Sequence, residues 1–297
     1  LDRLHLPARY LLPPLKRYHP TPASYKRLPL GVLISSRGCP CRCTFCDRAV
    51  FGNIIRLRGV DNVLDEVEEL IYKYGAREIR FFDDLFTLDI GRTYKICGGF
   101  HKRKLNVPWT CLTGANFVTK DLLRTMKSAG YWQVLYGLES ADPQILKLLN
   151  KGNTLEQNIR AIMWAQEEGL SVRADFIVGI PGDTLEKMEK TLKFAIDMKL
   201  DYAHFNKFVA FPGTELYQLL INIGYKFDFT KPCSILDHSA LLYVPEGVSK
   251  SDYTKFLDYA FKKFYLRPHY ILKRLKSIKT WEEFKGQFNG LLAIMGL

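Results

Sequence analysis

The stretch Ser171-Val-Arg-Ala-Asp-Phe-Ile-Val-Gly179 decides the fold. It follows Gly169 and ends at Gly179, and it reads as a strand over residues 171–178. Side chains alternate along a strand, so Arg173, Asp175 and Ile177 share one side, and Val172, Ala174, Phe176 and Val178 share the other. A strand buried between two helical layers would be apolar on both sides. Here one side is apolar and the other carries two charges. The asymmetry recurs: Gln133 and Glu139 share a side of the run 132–140, and His204 and Asn206 share a side of 203–210.

Outward from this segment, strands and helices alternate. Residues 30–36, 78–82, 107–113, 132–138 and 203–210 read as further strands. Residues 60–74 place Val63, Val67, Leu70 and Ile71 on one helical face and stop at Gly75. Further helices are predicted over 89–103, 119–129, 142–150, 154–168 and 184–198. Repeated strand–helix units imply parallel strands with helices outside. The recurring polar side implies a lumen that holds a ligand. The expected fold is therefore α/β: a partial (β/α)6 TIM-like barrel with its chemistry at the carboxyl ends of the strands.

Three segments follow. Residues 1–29 are rich in proline and basic residues and read as an irregular linker, expected to lead from a missing upstream domain; the start at Leu1 rather than Met suits a fragment. Residues 30–230 form the barrel. Residues 231–297 read as a helical C-terminal extension, with helices over 251–266 and 269–295 separated by Pro268.

The chain has 297 residues, 47% hydrophobic and 25% charged, which excludes a disordered or fibrous protein. No stretch is long and apolar enough to span a bilayer, and the first residues lack the basic-then-apolar order of a signal peptide. The net charge of +12 suits an anionic partner, with nucleic acid the weaker candidate; a solvated helical face is the plainer reading of the basic tail. Seven cysteines, four of them between 39 and 46, make a poor disulfide framework and suit a metal or redox site in the cytoplasm. Cys97, Cys111 and Cys233 read as small buried hydrophobes.

The strongest motif is Cys39-Pro-Cys-Arg-Cys-Thr-Phe-Cys46, directly after the first strand. Cys39, Cys43 and Cys46 give a C-x3-C-x2-C spacing. Three thiolates on one short loop can hold three corners of a cubane cluster and leave one iron open, whereas four-thiolate electron carriers are complete and use other spacings. A zinc site is the alternative, but four cysteines within eight residues crowd one tetrahedron. Cys41 is left as a bystander.

This loop resembles that of the radical S-adenosylmethionine (radical SAM) superfamily. The resemblance spans roughly residues 30–225. It implies a [4Fe-4S] cluster on Cys39, Cys43 and Cys46, with S-adenosylmethionine chelated to the open iron and cleaved to a 5′-deoxyadenosyl radical. Phe45, the aromatic before the last cysteine, would then lie near the adenine. Four further motifs follow at successive strand ends. In Phe81-Phe-Asp-Asp-Leu85 the resemblance assigns the SAM ammonium to Asp84 or Asp83, with helix capping as the alternative. In Tyr136-Gly-Leu-Glu-Ser-Ala-Asp142 it assigns Glu139 and Ser140 to the ribose, while Asp142 caps the helix that opens at Pro143. Arg173 would meet the SAM carboxylate, or else pair with Asp175 or Glu139. Gly179 and Ile180, and then Phe211 in Phe208-Val-Ala-Phe-Pro-Gly-Thr214, match the family's adenine-side contacts.

The leader 4–12, the Ser36-Arg-Gly-Cys-Pro40 stretch and Phe264-Tyr-Leu-Arg-Pro268 resemble the branch preceded by a cobalamin-binding domain. That branch implies methylation or rearrangement of an unactivated carbon in a small molecule or lipid, with cobalamin held outside this chain and a flavodoxin or ferredoxin as electron donor. The rivals are a tRNA methylthiotransferase, which the helical tail disfavours, and a non-catalytic iron–sulfur electron carrier. No catalytic acid or base is singled out; Tyr202, His204 and Asn206 could face the substrate.

Overall fold

A computed structural model describes residues 1–20, 25–230 and 241–278, with isolated residues between 284 and 292. Its frame is a six-stranded parallel sheet. In chain order the elements are β1 (Leu30–Leu33), β2 (Ser36–Arg37), β3 (Arg56–Leu57), α1 (Val60–Glu68), β4 (Glu78–Phe81), α2 (Ile90–Lys102), β5 (Trp109–Thr113), α3 (Lys120–Ser128), β6 (Tyr131–Glu139), α4 (Pro143–Leu149), α5 (Leu155–Glu167), β7 (Ser171–Val178), α6 (Leu185–Asp197), β8 (Tyr202–Lys207), α7 (Glu215–Asn222), α8 (Lys250–Tyr265) and α9 (Pro268–Ser277). The sheet order is β1-β4-β5-β6-β7-β8, and β1 and β8 are its two free edges. The expected partial barrel is the observed architecture, and it does not close.

The helices start where the sequence marks them. Thr119, Thr154, Thr184 and Thr214 each cap the helix that follows, Thr154 in a full capping box with Gln157. Asp142 accepts from the amides of Gln144 and Ile145, with Pro143 at the first helical position. Two local expectations give way. The helix expected over 60–74 ends as α at Glu68 and continues as one π turn, Glu69–Lys73. A two-residue ribbon, β2 with β3, forms beside the cysteine loop; strands that short carry no periodic signal.

The outward side of the sheet packs against the helices. Trp109 is fully buried at its centre, touching the rings of Phe81, Phe86, Phe100 and Tyr131, and its indole N–H donates to the carbonyl of Ala129 at 2.8 Å. Cys97 and Cys111 are fully buried in this layer, as small hydrophobes are; Cys233 lies outside the described residues.

Both sheet edges are covered, which removes the open ladder that invites aggregation. Along β1 runs the leader, irregular as expected but not loose. Arg9 Nη2 donates to the carbonyl of Val32 at 3.0 Å and pairs with buried Glu66, while the amides of Lys26 and Arg27 both donate to Glu78 at 2.6 Å. Along β8 runs α8. Tyr265 donates to the carbonyl of Ala203 at 2.9 Å and accepts from its amide at 3.1 Å. Tyr253, Leu257, Ala260 and Phe264 of α8 are fully buried in the main core. The described part of the extension therefore packs as part of the barrel wall.

Candidate functional site

The cysteine loop leaves β1 at the carboxyl end of the sheet. Gly38 has φ +88°, and a Cβ there would lie 2.3 Å from the carbonyl of Ile54, so only glycine fits the entry turn. Beyond it the loop is pinned by backbone. The Cys39 amide donates to Gly52 at 3.3 Å, the Thr44 amide to Leu149 at 3.0 Å, and the Leu216 amide to Thr44 at 3.0 Å. Asn150, in the left-handed conformation that ends α4, donates to the carbonyl of Arg42 at 3.1 Å. The end of α4 and the start of α7 thus both grip the loop that leaves β1.

The sulfurs differ in setting. Cys43 is buried, Cys39 and Cys41 are half-buried, and Cys46 is exposed; all are free of disulfides. A hydrogen bond from the Cys41 thiol holds Cys39 down at about 6, against burial and the charge of Asp84. The same bond, with burial, pushes Cys41 up. Burial pushes Cys43 up to about 11, and Lys151 works against it; burial also raises Cys46. Among the described residues no three His, Cys, Asp or Glu side chains converge as the ligands of a single ion do. A cubane takes its thiolates at separate metal corners, and the donor set suits it: three cysteines on one clamped loop, with the cations Arg48 and Lys151 close enough to favour thiolate.

The two aspartates after β4 part company. Asp83 is buried and fully engaged: it accepts from the Ser35 amide at 2.7 Å and from the Ser35 and Ser36 hydroxyls at 2.6 Å each, and burial raises its pKa despite them. It fastens β4 to the start of the cysteine loop. Asp84 is exposed, and its charge acts on Cys39 and Cys46. Of the pair, Asp84 is the one presented to the sulfurs.

Glu139 closes β6 with φ +65°, a conformation few non-glycine residues adopt. The register with β7 slips there, and the side chain swings over Gly137 to pair with Lys151. A Cβ on Gly137 would lie 2.3 Å from Lys151 Nζ, so the glycine makes room for the pair. Burial raises the Glu139 pKa, with Lys151 opposing; Lys151 is raised in turn by Glu139 and by Cys43, against burial. Lys151 also lies 6.0 Å from the centre of the Phe45 ring. It links the ribose candidate, the adenine candidate and a cysteine, and sequence reasoning missed it. It sits in a helix-to-helix turn with no periodicity; the one available signal was that a buried Glu139 needs a cation. Ser140, expected beside Glu139, faces the other way. It is buried against Thr191 of α6 at 3.4 Å and accepts from the Asp142 amide at 3.1 Å.

The inward side of the sheet carries the polar residues. Asp175 lies opposite His204 across the ladder, at 3.2 Å from its Nδ1, and Arg173 Nη2 is 3.1 Å from the same nitrogen. Burial works against the Asp175 charge, but His204 and Arg173 overcome it and hold its pKa below the ordinary value. Arg173 thus has the expected ion-pair partner, Asp175. Arg80 of β4 also projects inward and senses both Arg173 and Asp175.

Gly179 ends β7 with φ +79°, and a Cβ there would lie 2.1 Å from the Tyr253 hydroxyl. That hydroxyl donates to Val178 at 2.7 Å and accepts from the Phe208 amide at 3.3 Å, wedging α8 between the ends of β7 and β8. Asp183 accepts from the Gly179 amide at 2.9 Å and fixes the turn. Ile180 is fully buried, in the small cluster against which Phe45 packs. Phe211 is 39% exposed in the β8–α7 loop, ahead of α7, whose Leu216 amide reaches the cysteine segment.

Known proteins resemble this chain in sequence and fold. The model of the Radical SAM superfamily matches residues 33–195. An uncharacterized methyltransferase of Pyrococcus horikoshii is 35% identical over 283 residues, 92% of this chain and 58% of that protein. The anaerobic magnesium-protoporphyrin IX monomethyl ester cyclase of Rubrivivax gelatinosus is 30% identical over 82% of this chain and 46% of its own length. The chain thus spans about half the length of the curated relatives it matches. Among solved structures, the cobalamin-dependent S-adenosylmethionine radical enzyme OxsB superimposes with a TM-score of 0.62 at 19% identity, over 88% of this chain and 45% of that one. At that identity the likeness is one of fold.

Proposed function

The chain belongs to the radical SAM superfamily, and from that premise we propose that it is the catalytic barrel of an enzyme that binds a [4Fe-4S] cluster on Cys39, Cys43 and Cys46. When bound with S-adenosylmethionine, such a cluster supplies one electron that releases a 5′-deoxyadenosyl radical. The chain's own part is to hold and orient. Asp84, the free carboxylate beside the sulfurs, receives the SAM ammonium. Glu139, held by Lys151 in its strained conformation, offers acceptors to the ribose. Phe45, Ile180 and Phe211 enclose the adenine, with Gly179 keeping the backbone close. Arg173 takes the SAM carboxylate while Asp175 and His204 steer its planar fork. Ser140 then acts through α6 and the cap of α4 rather than by contact.

The observation that carries this reading is the three-cysteine loop clamped at the carboxyl end of the sheet through Gly52, Leu149 and Leu216, with Lys151 set between Glu139 and the Phe45 ring beside it. The boundaries 1–29, 30–230 and 231–297 are kept as leader, barrel and extension. The substrate class is an unactivated carbon in a small molecule or lipid, methylated or rearranged, and the electron donor is one such as flavodoxin or ferredoxin. Cobalamin, which the OxsB structure holds, is assigned to a part of the full protein outside these residues. Among the described residues no helix is long and apolar enough to cross a membrane. The free cysteines of the loop suit a reducing compartment, and on that ground we place the protein in the cytoplasm. The tRNA reading gains nothing from the described tail, whose elements are helical.

The test is anaerobic reconstitution with iron and sulfide, then S-adenosylmethionine and dithionite, with 5′-deoxyadenosine as the readout. Cys43→Ala is expected to abolish the product and Cys41→Ala to retain it. Equal loss in both variants would overturn the ligand assignment. Wild-type protein that binds a cluster yet forms no deoxyadenosine would overturn the function.

A further inference from the structure

Between the leader and the inward sides of β1 and β4 lies a cavity of about 840 Å³. That is near the upper end of the roughly 300–1,000 Å³ typical of small-molecule sites. Its walls are mostly apolar: Tyr10, Leu12 and Tyr18 from the leader face Leu30 and Val32 of β1 and Phe82 after β4. Val32 is 42% exposed, a high value for a side chain on the inward side of a sheet, and Phe82, just past the end of β4, is 52% exposed. Uncovered apolar surface of this kind marks a place where something apolar binds.

The charged residues of the lining are cations, Arg9, Lys73 and Arg80, and among the described residues no carboxylate lines it. Lys73 is answered by Glu69. Arg9 is only 9% exposed. Its Nη2 serves the carbonyl of Val32 and Glu66, but its Nη1 is buried with no hydrogen-bond partner among the described residues. Glu66 is shared with a second guanidinium, Arg58, so one carboxylate faces two positive charges. A buried guanidinium with an idle donor is costly unless an acceptor arrives. Arg80 adds a second guanidinium on the opposite wall, stacked 4.8 Å from the centre of the Phe82 ring.

We propose that this cavity binds an amphiphilic anion: an apolar ligand ending in a carboxylate or phosphate, whose body lies along Leu12, Val32 and Phe82 and whose head engages Arg9 Nη1 and Arg80. Because Arg80 sits on β4, opposite Thr110 on the next strand of the sheet, the ligand would lie between the leader and the lumen. Taken as the seat of the substrate, the site rests on the radical SAM reading; taken as a binding site, it stands on the lining alone.

The test is isothermal titration of the reconstituted protein with decanoate, decyl phosphate and decanol, with S-adenosylmethionine binding measured on the same samples. Both anions are expected to bind at least about tenfold more tightly than decanol, a margin of about 1.4 kcal/mol. The tighter anion identifies the head group. Arg80→Gln is expected to weaken the anions about tenfold and leave decanol unchanged. Val32→Trp, and Phe82→Trp as a second filler at an exposed position, are expected to block all three. The proposal is overturned if decanol matches the anions, or if both tryptophan variants fold and bind as the wild type does. Decanoate binding lost with S-adenosylmethionine binding kept defeats the cavity alone. The reverse result defeats the family function and leaves the cavity standing.

Discussion

The two sides of the sheet follow different rules. The outward side, toward the helices, is aromatic and saturated: Trp109, Phe81, Phe100 and Tyr131 are buried, and the one polar atom of Trp109 has its partner. The inward side is charged and incomplete. Arg80, Arg173, Asp175 and His204 crowd one region, and the Thr110 hydroxyl and Gln133 carbonyl are buried without a partner among the described residues. A protein stabilised for its own sake would treat both sides alike. The difference shows that the outward side holds the fold and the inward side is kept for something else.

The largest expected effect tests the outward side. Trp109→Ala removes the central ring and its hydrogen bond, and a cavity remains because four neighbouring rings cannot all move in. The expected loss is about 3–5 kcal/mol, read as a lower midpoint in urea unfolding followed by circular dichroism. A loss below about 1 kcal/mol would mean that this layer is not the structural one.

A smaller effect sharpens the boundary between the sides. Asp183 is 4% exposed at the end of β7, near Lys187, Tyr243 and Tyr253, and burial pushes its pKa up to about 6 despite three backbone amides. Its ordinary value is 3.8. The folded state therefore holds this proton more tightly than the unfolded chain. Stability from this group is full below pH 3.8, falls as pH rises toward about 6, and is level above that. The drop is on the order of 3 kcal/mol. Asp183→Asn is expected to flatten this part of the stability–pH curve, measured by urea midpoints between pH 4 and pH 7. An unchanged slope would remove Asp183 as its source.

The same contrast explains what could be read from the sequence. The strands, the Asp142 cap and the polar side of residues 171–178 were legible because period and cap residues are local signals. So was the cysteine loop, whose spacing is its own signature. The Asp83–Asp84 choice was not, because both residues lie past the end of β4 (Phe81), where alternation no longer applies; only the Ser35 and Ser36 contacts separate them. Lys151 was hidden in a turn, and its tie to Glu139 spans two helix boundaries. Tyr253 falls on the apolar face of a predictable helix, but nothing local says that its hydroxyl fills the gap between Val178 and Phe208. Ser140 was not legible either: it lies past the end of β6, after a residue at positive φ, and only its contacts with Thr191 and the Asp142 amide place it.

The smallest effect tests the inward side most directly. Thr110 faces Arg80 and Gln133 across the ladder, and its hydroxyl is buried with no partner among the described residues. Thr110→Val keeps the shape and removes that hydroxyl. On the outward side, losing a polar atom would break a bond. Here it removes a desolvation cost, so the variant should be unchanged or more stable by about 1 kcal/mol. A loss of more than about 1 kcal/mol would show that the hydroxyl is already satisfied in the resting protein. The inward side would then be a completed polar core like any other, and the case for a lumen kept open to a ligand would rest on Arg9 and Arg80 alone.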